Sequence, residues 1–227
     1  MARALAGAGV DAVYSYAGRV PDLARQPLPV RVGGFGGVGG LTDWLRDQRM
    51  THVIDATHPF AAGMSRNAIA ACAALRLPLV ALERPPWRVE PGWSELPDFA
   101  SAAKALPEAP TPIFLAIGKQ NLAAFAGLPH RWLLRFAAPD PRAAAILPGA
   151  EIVVSRGPFD LEGDRALMRA HGIRLVVAKN AGGAAARAKL DAALALDLPV
   201  ILIARPSLPA RTIRPSPEAV LDWLNGA

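Results

Sequence analysis

The chain has 227 residues, of which 52% are hydrophobic and 6% aromatic. This length suits one large or two small domains with a well-filled core, and no apolar run is long enough to span a membrane. A balance of 25 basic to 19 acidic residues gives a net charge of +6, which suits an anionic partner such as a nucleotide or a polycarboxylate.

Several classes of protein are disfavoured by what the sequence lacks. The arginines are scattered, without a basic block or interleaved aromatic residues, so we expect no nucleic-acid partner. Cys72 is the single cysteine, which excludes a disulfide framework and a cysteine-built metal site. No signal peptide is recognisable, so we expect a cytoplasmic protein that does not bind a membrane.

The chain opens on residues 1–9, which predict the end of a helix, and residues 11–16 predict the first visible strand. A doubly wound domain normally begins with a strand and a glycine-rich phosphate turn, and neither is recognisable before this helix. We therefore expect that the domain's first strand is missing from the numbered sequence.

The end of the strand at 11–16 bears on the choice of nucleotide. In a dinucleotide-binding fold, an acidic residue here binds the ribose hydroxyl of NAD, whereas an arginine accommodates the 2′-phosphate of NADP. Ser15, Gly18 and Arg19 occur here, and no acidic residue lies between Ser15 and Asp22. The pattern favours NADP, and a solvated surface arginine is the alternative interpretation.

Residues 27–32 predict another strand, and the glycine-rich turn Gly33-Gly-Phe-Gly-Gly37 follows it. The turn precedes a predicted helix at 41–48 and does not match the GxGxxG pattern. So many glycines permit positive φ angles and a close approach of the backbone to a ligand, and a plain flexible turn would need fewer.

Residues 52–56 predict a buried strand that runs into a polar turn containing Asp55, Thr57 and His58. Pro59 suits the first position of the helix that we predict from there to about residue 75. Such turns at the carboxyl ends of parallel strands bind ligands, and helix N-termini attract anions. We interpret this turn as part of a cofactor and substrate cleft; the alternative is that Asp55 or Thr57 only caps the helix.

Residues 83–97 are rich in proline and show no regular period, which predicts a stiff linker between domains. We therefore expect an N-terminal domain at 1–90 and a C-terminal domain at 91–227. The second half repeats the alternation of strands and helices, with strands predicted at 113–117, 132–136, 152–154, 175–178 and 200–203. This alternation predicts the α/β class with parallel sheets, and it leaves open which sheet receives the last strand and the C-terminal helix.

Polar residues of the second half follow the predicted strands: Lys119, Ser155, Arg156, Lys179 and Asn180. We expect such edges of two facing sheets to line one mainly cationic cleft between the domains.

Three classes of catalytic site lack their motifs. The four histidines show no zinc-ligand spacing, so we expect no metal. Ser155 lacks the GxSxG frame of a hydrolase, and Gly118-Lys119 is followed by Gln120 rather than by the Ser or Thr of a P-loop. A nicotinamide cofactor with an anionic substrate suits the glycines, Arg19 and the cationic strand ends best.

Seven motifs occur in order between residues 13 and 205: Ser15-Tyr-Ala-Gly-Arg19, Val32-Gly-Gly-Phe-Gly-Gly37, Asp55-Ala-Thr-His-Pro-Phe-Ala61, Glu83-Arg-Pro-Pro-Trp87, Gly118-Lys119, Ser155-Arg-Gly-Pro-Phe159 and Lys179-Asn-Ala-Gly-Gly183. Together they resemble the precorrin-6A reductases of cobalamin biosynthesis. The sequence departs from that family at its start, where the family has a strand and a Gly-Gly-Thr turn.

The resemblance implies two Rossmann-like domains with mainly parallel sheets and an active-site cleft between them. It implies that NADPH reduces a ring double bond of precorrin-6A to give precorrin-6B. The substrate is a tetrapyrrole with several carboxylates, which suits the basic composition because arginine and carboxylate form charge-assisted pairs. Neighbouring enzymes of the pathway are candidate partners, and a sister branch of the family acts on the cobalt-loaded substrate.

Roles for individual residues follow from the resemblance as hypotheses. Toward the cofactor, we expect Ser15, Gly18 and Arg19 at the 2′-phosphate, Gly33, Gly34, Phe35 and Gly36 against the adenosine, and Thr57 and His58 near the pyrophosphate or nicotinamide. Toward the substrate carboxylates, we expect Lys119, Ser155, Arg156, Lys179 and Asn180. The proton that accompanies the hydride would come from Lys179, His58 or water.

Two other functions suit the same pattern. A tetrapyrrole methyltransferase also has glycine-rich strand ends and binds similar substrates. A non-catalytic module that binds nucleotides or other anions would use the same cleft without turnover.

The NADP assignment predicts the effect of replacing Arg19 with Ala. This change should raise the Michaelis constant for NADPH far more than that for NADH, because only NADPH has the 2′-phosphate. Steady-state kinetics with both cofactors measure the two constants, and equal increases would contradict the assignment.

Overall fold

The computed structural model of the chain describes residues 1–17 and 25–226, so Gly18 and Arg19 lie outside the described residues. The chain divides into two compact units. The first unit contains Met1–Pro85 and Ser207–Ala227, and the second contains Pro86–Pro206.

Strands and helices alternate along almost the whole described chain. The strands are β1 (Tyr14–Tyr16), β2 (Val30–Val32), β3 (Val53–Asp55), β4 (Leu79–Leu82), β5 (Ser94–Leu96), β6 (Pro112–Ala116), β7 (Arg131–Phe136), β8 (Glu151–Val154), β9 (Leu175–Lys179), β10 (Val200–Ile203) and β11 (Thr212–Arg214). The helices are α1 (Ala2–Gly7), α2 (Gly37–Asp47), α3 (Ala62–Leu75), α4 (Phe99–Lys104), α5 (Pro141–Ile146), α6 (Leu161–Ala170), α7 (Ala188–Ala195) and α8 (Pro217–Asn225). Short 3₁₀ segments span Lys119–Phe125 and Ala184–Ala186.

Every strand pair in the described residues is parallel, which confirms the predicted α/β class. The second unit has one six-stranded sheet in the order β5-β10-β9-β6-β7-β8. Its central strands are apolar at almost every position and buried, since helices cover both faces of such sheets. The core of this unit joins strand residues such as Phe114 and Leu202 to helix residues such as Met168 and Leu190.

The first unit has a two-stranded sheet, β1-β2, and a three-stranded sheet, β11-β4-β3. A cavity of about 440 Å³ is lined by residues 10–17 on the side of β1 and by residues 51–57 on the side of β3. The cavity therefore lies between the two sheets of this unit.

The C-terminal segment belongs to the first unit, whereas the division at residue 90 assigned it to the second domain. Strand β11 pairs with β4, and the Glu83 N–H donates to the Arg214 carbonyl at 2.9 Å. The C-terminal segment joins this unit because β3 pairs with one edge of β4 and leaves the other edge for β11. Helix α8 follows, and it begins as predicted: Ser216 accepts a hydrogen bond from the Ala219 N–H, and Pro217 is in the first turn.

Two local predictions are wrong. Residues 83–97 were expected to lack regular structure, yet β5 lies among them and pairs with β10 at the sheet edge. Helix α3 begins at Ala62, so Pro59 is not in its first turn. Residues 58–61 instead form a turn in which the His58 carbonyl accepts the Ala61 N–H at 2.7 Å.

Helix α2 packs against the glycine-rich turn at one position that tolerates no side chain. A Cβ placed on Gly40 would lie 1.8 Å from the carbonyl oxygen of Phe35, whereas a Cβ on Gly39 would have no atom within 4 Å. The backbone of the turn and the first part of α2 are therefore in direct contact.

We expect Gly40→Ala to destabilise the protein by about 1–3 kcal/mol, because the turn or the helix must shift. Gly39→Ala is the matched control: it should be neutral or stabilise by up to about 1 kcal/mol, because alanine favours a helix. Urea unfolding of both variants measures the two free energies, and equal values would show that the Phe35 carbonyl does not constrain α2.

Candidate functional site

Parallel α/β sheets bind ligands beyond the carboxyl ends of their strands, at the point where the strand order reverses. In the second unit the chain runs from β6 to β7 and β8 on one side, and then returns to β9 and β10 on the other. The reversal therefore lies between β6 and β9. In the first unit β1-β2 and β11-β4-β3 form two separate sheets, and the cavity is lined by residues from both.

Five predicted cofactor residues line the cavity of the first unit, near the carboxyl ends of its strands. Its lining includes Ser15, Gly33, Gly34, Phe35 and Thr57, which we call the first-unit rim. Ser15 lies in β1, whereas the other four residues lie in the turns after β2 and β3, and only the fold places them together. The predicted cofactor residues Gly36 and His58 are not in this lining.

Gly36 has a different place from its neighbours in the turn. It is the N-cap of α2 with a φ of 78°, in the left-handed region that favours glycine. The first turn of α2 contains no acidic residue, so the partial positive charge of the helix N-terminus is not neutralised there. The glycine-rich turn thus leads into a helix start that suits an anion.

Arg31 holds the glycine-rich turn, and the sequence analysis did not single it out. Its guanidinium donates to the carbonyls of Gly33 at 2.6 Å and Gly34 at 2.7 Å. The same group lies 3.7 Å from the centre of the Phe35 ring. A lone arginine within a short strand gives no sequence signal of this kind, because its partners follow it in a turn of unknown shape.

The turn after β3 is organised by a buried carboxylate. Asp55 is 6% exposed, and its Oδ1 accepts hydrogen bonds from the Thr57 N–H at 3.1 Å and the Thr57 hydroxyl at 2.7 Å. The N-cap of α3 is Ala61, which makes no side-chain capping bond. The interpretation that Asp55 or Thr57 caps this helix is therefore wrong, and Asp55 instead fixes the Thr57 side chain at the rim.

His58 is exposed and is used by its own turn. Its Nδ1 accepts the Phe60 N–H at 3.1 Å, and its ring lies 5.8 Å from the Phe60 ring. An accepting Nδ1 has no proton of its own, so in this arrangement a proton on the neutral ring is on Nε2.

The strand-order reversal of the second unit brings Gly118 and Lys119 next to Lys179 and Asn180; we call these four residues the reversal site. Gly118 has a φ of 75°, and a Cβ there would lie 3.9 Å from the Lys179 ammonium nitrogen. Burial lowers the pKa of Lys179 below its ordinary value of 10.5, and the Phe99 ring lies 5.6 Å from this nitrogen. The reversal site therefore contains a partly desolvated lysine beside a glycine.

Asn180 is 1% exposed, and both the oxygen and the nitrogen of its side-chain amide form hydrogen bonds within the protein. Its Oδ1 accepts the Trp87 N–H at 2.7 Å, and its amide donates to the Trp87 carbonyl at 3.1 Å and to Glu95 at 2.7 Å. The Trp87 indole N–H donates to the Gly183 carbonyl at 2.9 Å. Asn180 thus fastens the start of the second unit to the turn after β9, and contact between its amide and a substrate would break these bonds.

The remaining predicted substrate residues lie on neighbouring strand ends. Lys119 donates to the Pro139 carbonyl at 3.1 Å and lies 4.0 Å from Asp140. Arg156 is exposed and donates from Nε to the Ala137 carbonyl at 3.0 Å, while Ser155 follows β8. Both cations thus reach toward the end of β7, which lies between β6 and β8.

A buried polar cluster in the second unit also escaped the sequence analysis. Arg135 forms an ion pair with Asp164, and its guanidinium lies 3.7 Å from the centre of the Phe159 ring. Burial lowers the pKa of nearby Lys189 to about 8, and its ammonium lies 5.2 Å from the Trp87 ring. Charged residues such as Asp164 on α6 and Lys189 on α7 are typical of a solvated helix face in sequence. Only the packing of the two helices shows that these side chains are largely buried.

Residues 1–17 and 25–226 contain neither a metal-ligand cluster nor a membrane-spanning helix. No group of three or more His, Cys, Asp and Glu side chains is placed to share a metal ion. No helix is long and apolar enough to cross a membrane.

The role of Asn180 predicts a pH-dependent loss of stability in Asn180→Asp. The new carboxylate cannot donate the two hydrogen bonds that the Asn180 amide makes, and it lies beside Glu95. We therefore expect the free energy of unfolding to fall by about 3 kcal/mol at neutral pH. Its folded-state pKa would be raised, so the deficit against wild type should shrink below about pH 4 and grow as the pH rises. Gln120→Glu, which adds the same charge at an exposed position, should change stability by less than about 0.5 kcal/mol at any pH. A pH-independent deficit, measured by urea unfolding, would contradict this role.

Comparison with known proteins gives a consistent result. Residues 1–225 match the family described as precorrin-6x reductase CbiJ/CobK. Precorrin-6A reductase of Rhodobacter capsulatus is 54% identical over 227 residues, covering 99% of this chain and 90% of the relative. That of Rhodococcus erythropolis is 47% identical over 218 residues, covering 93% and 88%.

A solved structure of CobK precorrin-6A reductase superposes with a TM-score of 0.92 at 54% identity, covering 99% of this chain and 91% of that one. By contrast, the cobalt-precorrin-6A reductase of Priestia megaterium is 29% identical over 214 residues, covering 89% and 84%. The resemblance inferred from the motifs is thereby confirmed, and the chain belongs to the precorrin-6x reductase family.

Proposed function

We propose that this chain reduces precorrin-6A to precorrin-6B with NADPH, during construction of the corrin ring of cobalamin. The observation that carries the proposal is the match to precorrin-6A reductases over nearly the whole chain, at 54% identity. The lower identity of 29% to a cobalt-precorrin-6A reductase supports the metal-free tetrapyrrole as substrate.

A nicotinamide cofactor follows from membership of a reductase family, and the residues of the first unit fit one. The first-unit rim contains backbone groups from three strand ends that a cofactor can contact. The first turn of α2 contains no acidic residue that would repel a phosphate. We assign Ser15 and the glycine-rich turn to the adenosine end, together with Gly18 and Arg19. Thr57 and His58 are assigned to the pyrophosphate or nicotinamide. When bound, NADPH supplies the hydride for the ring double bond.

The second unit supplies the cations that the substrate carboxylates require. Lys119, Arg156 and Lys179 lie at the carboxyl ends of β6, β8 and β9, all at one edge of the sheet. Arginine suits paired contacts with a carboxylate, whereas lysine acts as a point charge. Ser155 can donate its hydroxyl to the same groups, and Asn180 acts by holding Trp87 beside this edge.

Addition of a hydride to one ring carbon requires a proton at another position of the conjugated system. We assign this proton to Lys179, because burial lowers its pKa and its ammonium lies beside Gly118 at the reversal site. A lower pKa makes the ammonium a better acid near neutral pH. His58 is the alternative donor, and it receives less support because its Nδ1 accepts a bond from the adjoining turn.

The experiment that tests the function mixes the purified chain with precorrin-6A and either NADPH or NADH under anaerobic conditions. We expect one NADPH to be consumed for each product molecule, and the product to carry two more hydrogen atoms than the substrate. NADPH should be used more efficiently than NADH. Binding of NADPH without turnover, or turnover only of a cobalt-loaded substrate, would contradict the proposal.

Variants of Lys179 test the proton assignment. Lys179→Met and Lys179→Arg should each lower kcat about 100-fold or more, because neither side chain can give up a proton near neutral pH. The wild-type rate should fall as the pH rises through the lowered pKa of Lys179, since only the ammonium form donates. Lys104→Met, at an exposed position of α4, should leave kcat unchanged. Recovery of activity in Lys179→Arg would show an electrostatic role instead.

A further inference from the structure

We propose that Arg31 sets the preference of this chain for a 2′-phosphorylated dinucleotide, by presenting its guanidinium to the phosphate beside Ser15. The inference rests on the proposed use of NADPH and adds a residue to it. Ser15 and Arg31 are register partners in the parallel pair β1-β2, so their side chains lie on the same face. One terminal nitrogen of Arg31 lies 3.4 Å from the Ser15 hydroxyl oxygen.

The guanidinium is held in place before any ligand binds. Its two terminal nitrogens donate to the Gly33 and Gly34 carbonyls, and the Phe35 ring packs against its plane at 3.7 Å. A guanidinium has five N–H donors, so donors remain beyond the two that the carbonyls accept. Fixing a long side chain in advance lowers the entropy cost of binding an anion there.

Among the residues that the structure describes, no acidic side chain pairs with the guanidinium of Arg31. Within the described part of the chain, Arg31 forms no ion pair, and the carbonyls that hold it are neutral. The first turn of α2, which follows the same glycine-rich turn, also contains no acidic residue. The Ser15 hydroxyl, a helix start and a guanidinium held by neutral carbonyls together suit a phosphate monoester, which arginine binds through two parallel bonds.

The alternative role for Arg31 is purely structural. If it only holds the glycine-rich turn, its loss would weaken the binding of every adenosine dinucleotide equally. If it binds the 2′-phosphate, its loss would weaken NADPH and leave NADH nearly unchanged. The ratio of the two affinities separates the roles, and a fall in stability alone does not move that ratio.

The experiment measures the dissociation constants of NADPH and NADH for the full chain by titration, with 2′-AMP and 5′-AMP as competing probes. We expect Arg31→Met to raise the dissociation constants of NADPH and 2′-AMP about 10–100-fold. Those of NADH and 5′-AMP should change by less than about 3-fold. Arg31→Lys keeps the positive charge but lacks the paired N–H donors of a guanidinium, so it should weaken NADPH binding by about 3–10-fold. Should Arg31→Met fail to fold, this second variant alone decides the question.

Arg46→Met is the matched control, because Arg46 is exposed in the last turn of α2, away from the glycine-rich turn at the helix start. It should leave both dissociation constants unchanged. Equal weakening of NADPH and NADH in the Arg31 variants, or an unchanged preference, would overturn the assignment of Arg31 alone. A wild-type chain that binds NADH but not NADPH would overturn the NADPH proposal, and the role of Arg31 with it.

Discussion

Parallel strand pairing is the constraint on which the rest of this structure depends. Because every described pair is parallel, all strands of a sheet end at the same edge, and every turn that follows a strand begins there. Residues far apart in sequence, such as Lys119 and Lys179, therefore lie at one edge of the second unit's sheet. In the first unit, Ser15 and Thr57 come from two different sheets, and they line one cavity. Neither gathering needs any direct interaction between the residues concerned.

Buried polar side chains then give each strand end its shape. Asp55 fixes Thr57, and Asn180 fixes the backbone of Trp87 from 93 residues away in the chain. Arg31 does the same for the glycine-rich turn from a partly exposed position. Such bonds are costly to lose when they are buried, because an unpaired polar group would remain in an apolar surrounding. They keep the turns in one conformation while the apolar core beneath them supplies most of the stability.

Charge is distributed in a way that suits two anionic ligands. The first unit offers a helix start whose first turn contains no acidic residue and the guanidinium of Arg31, and groups of both kinds bind phosphates. The second unit offers separate cations on three strand ends, which match carboxylates spread around a large ring. The basic net charge of +6 is the part of this division that composition alone reveals.

The sequence by itself determined the fold class, the family and most of the strand ends, because alternating apolar runs and glycine-rich turns are local signals. It placed Thr57, Lys179 and the glycine-rich turn at strand ends for the same reason. Only the tertiary structure decided that β11 joins β4, that Asn180 is buried against Trp87, and that Arg31 lies beside Ser15. These outcomes depend on which edges and faces meet in space, and the spacing of residues along a chain does not encode that.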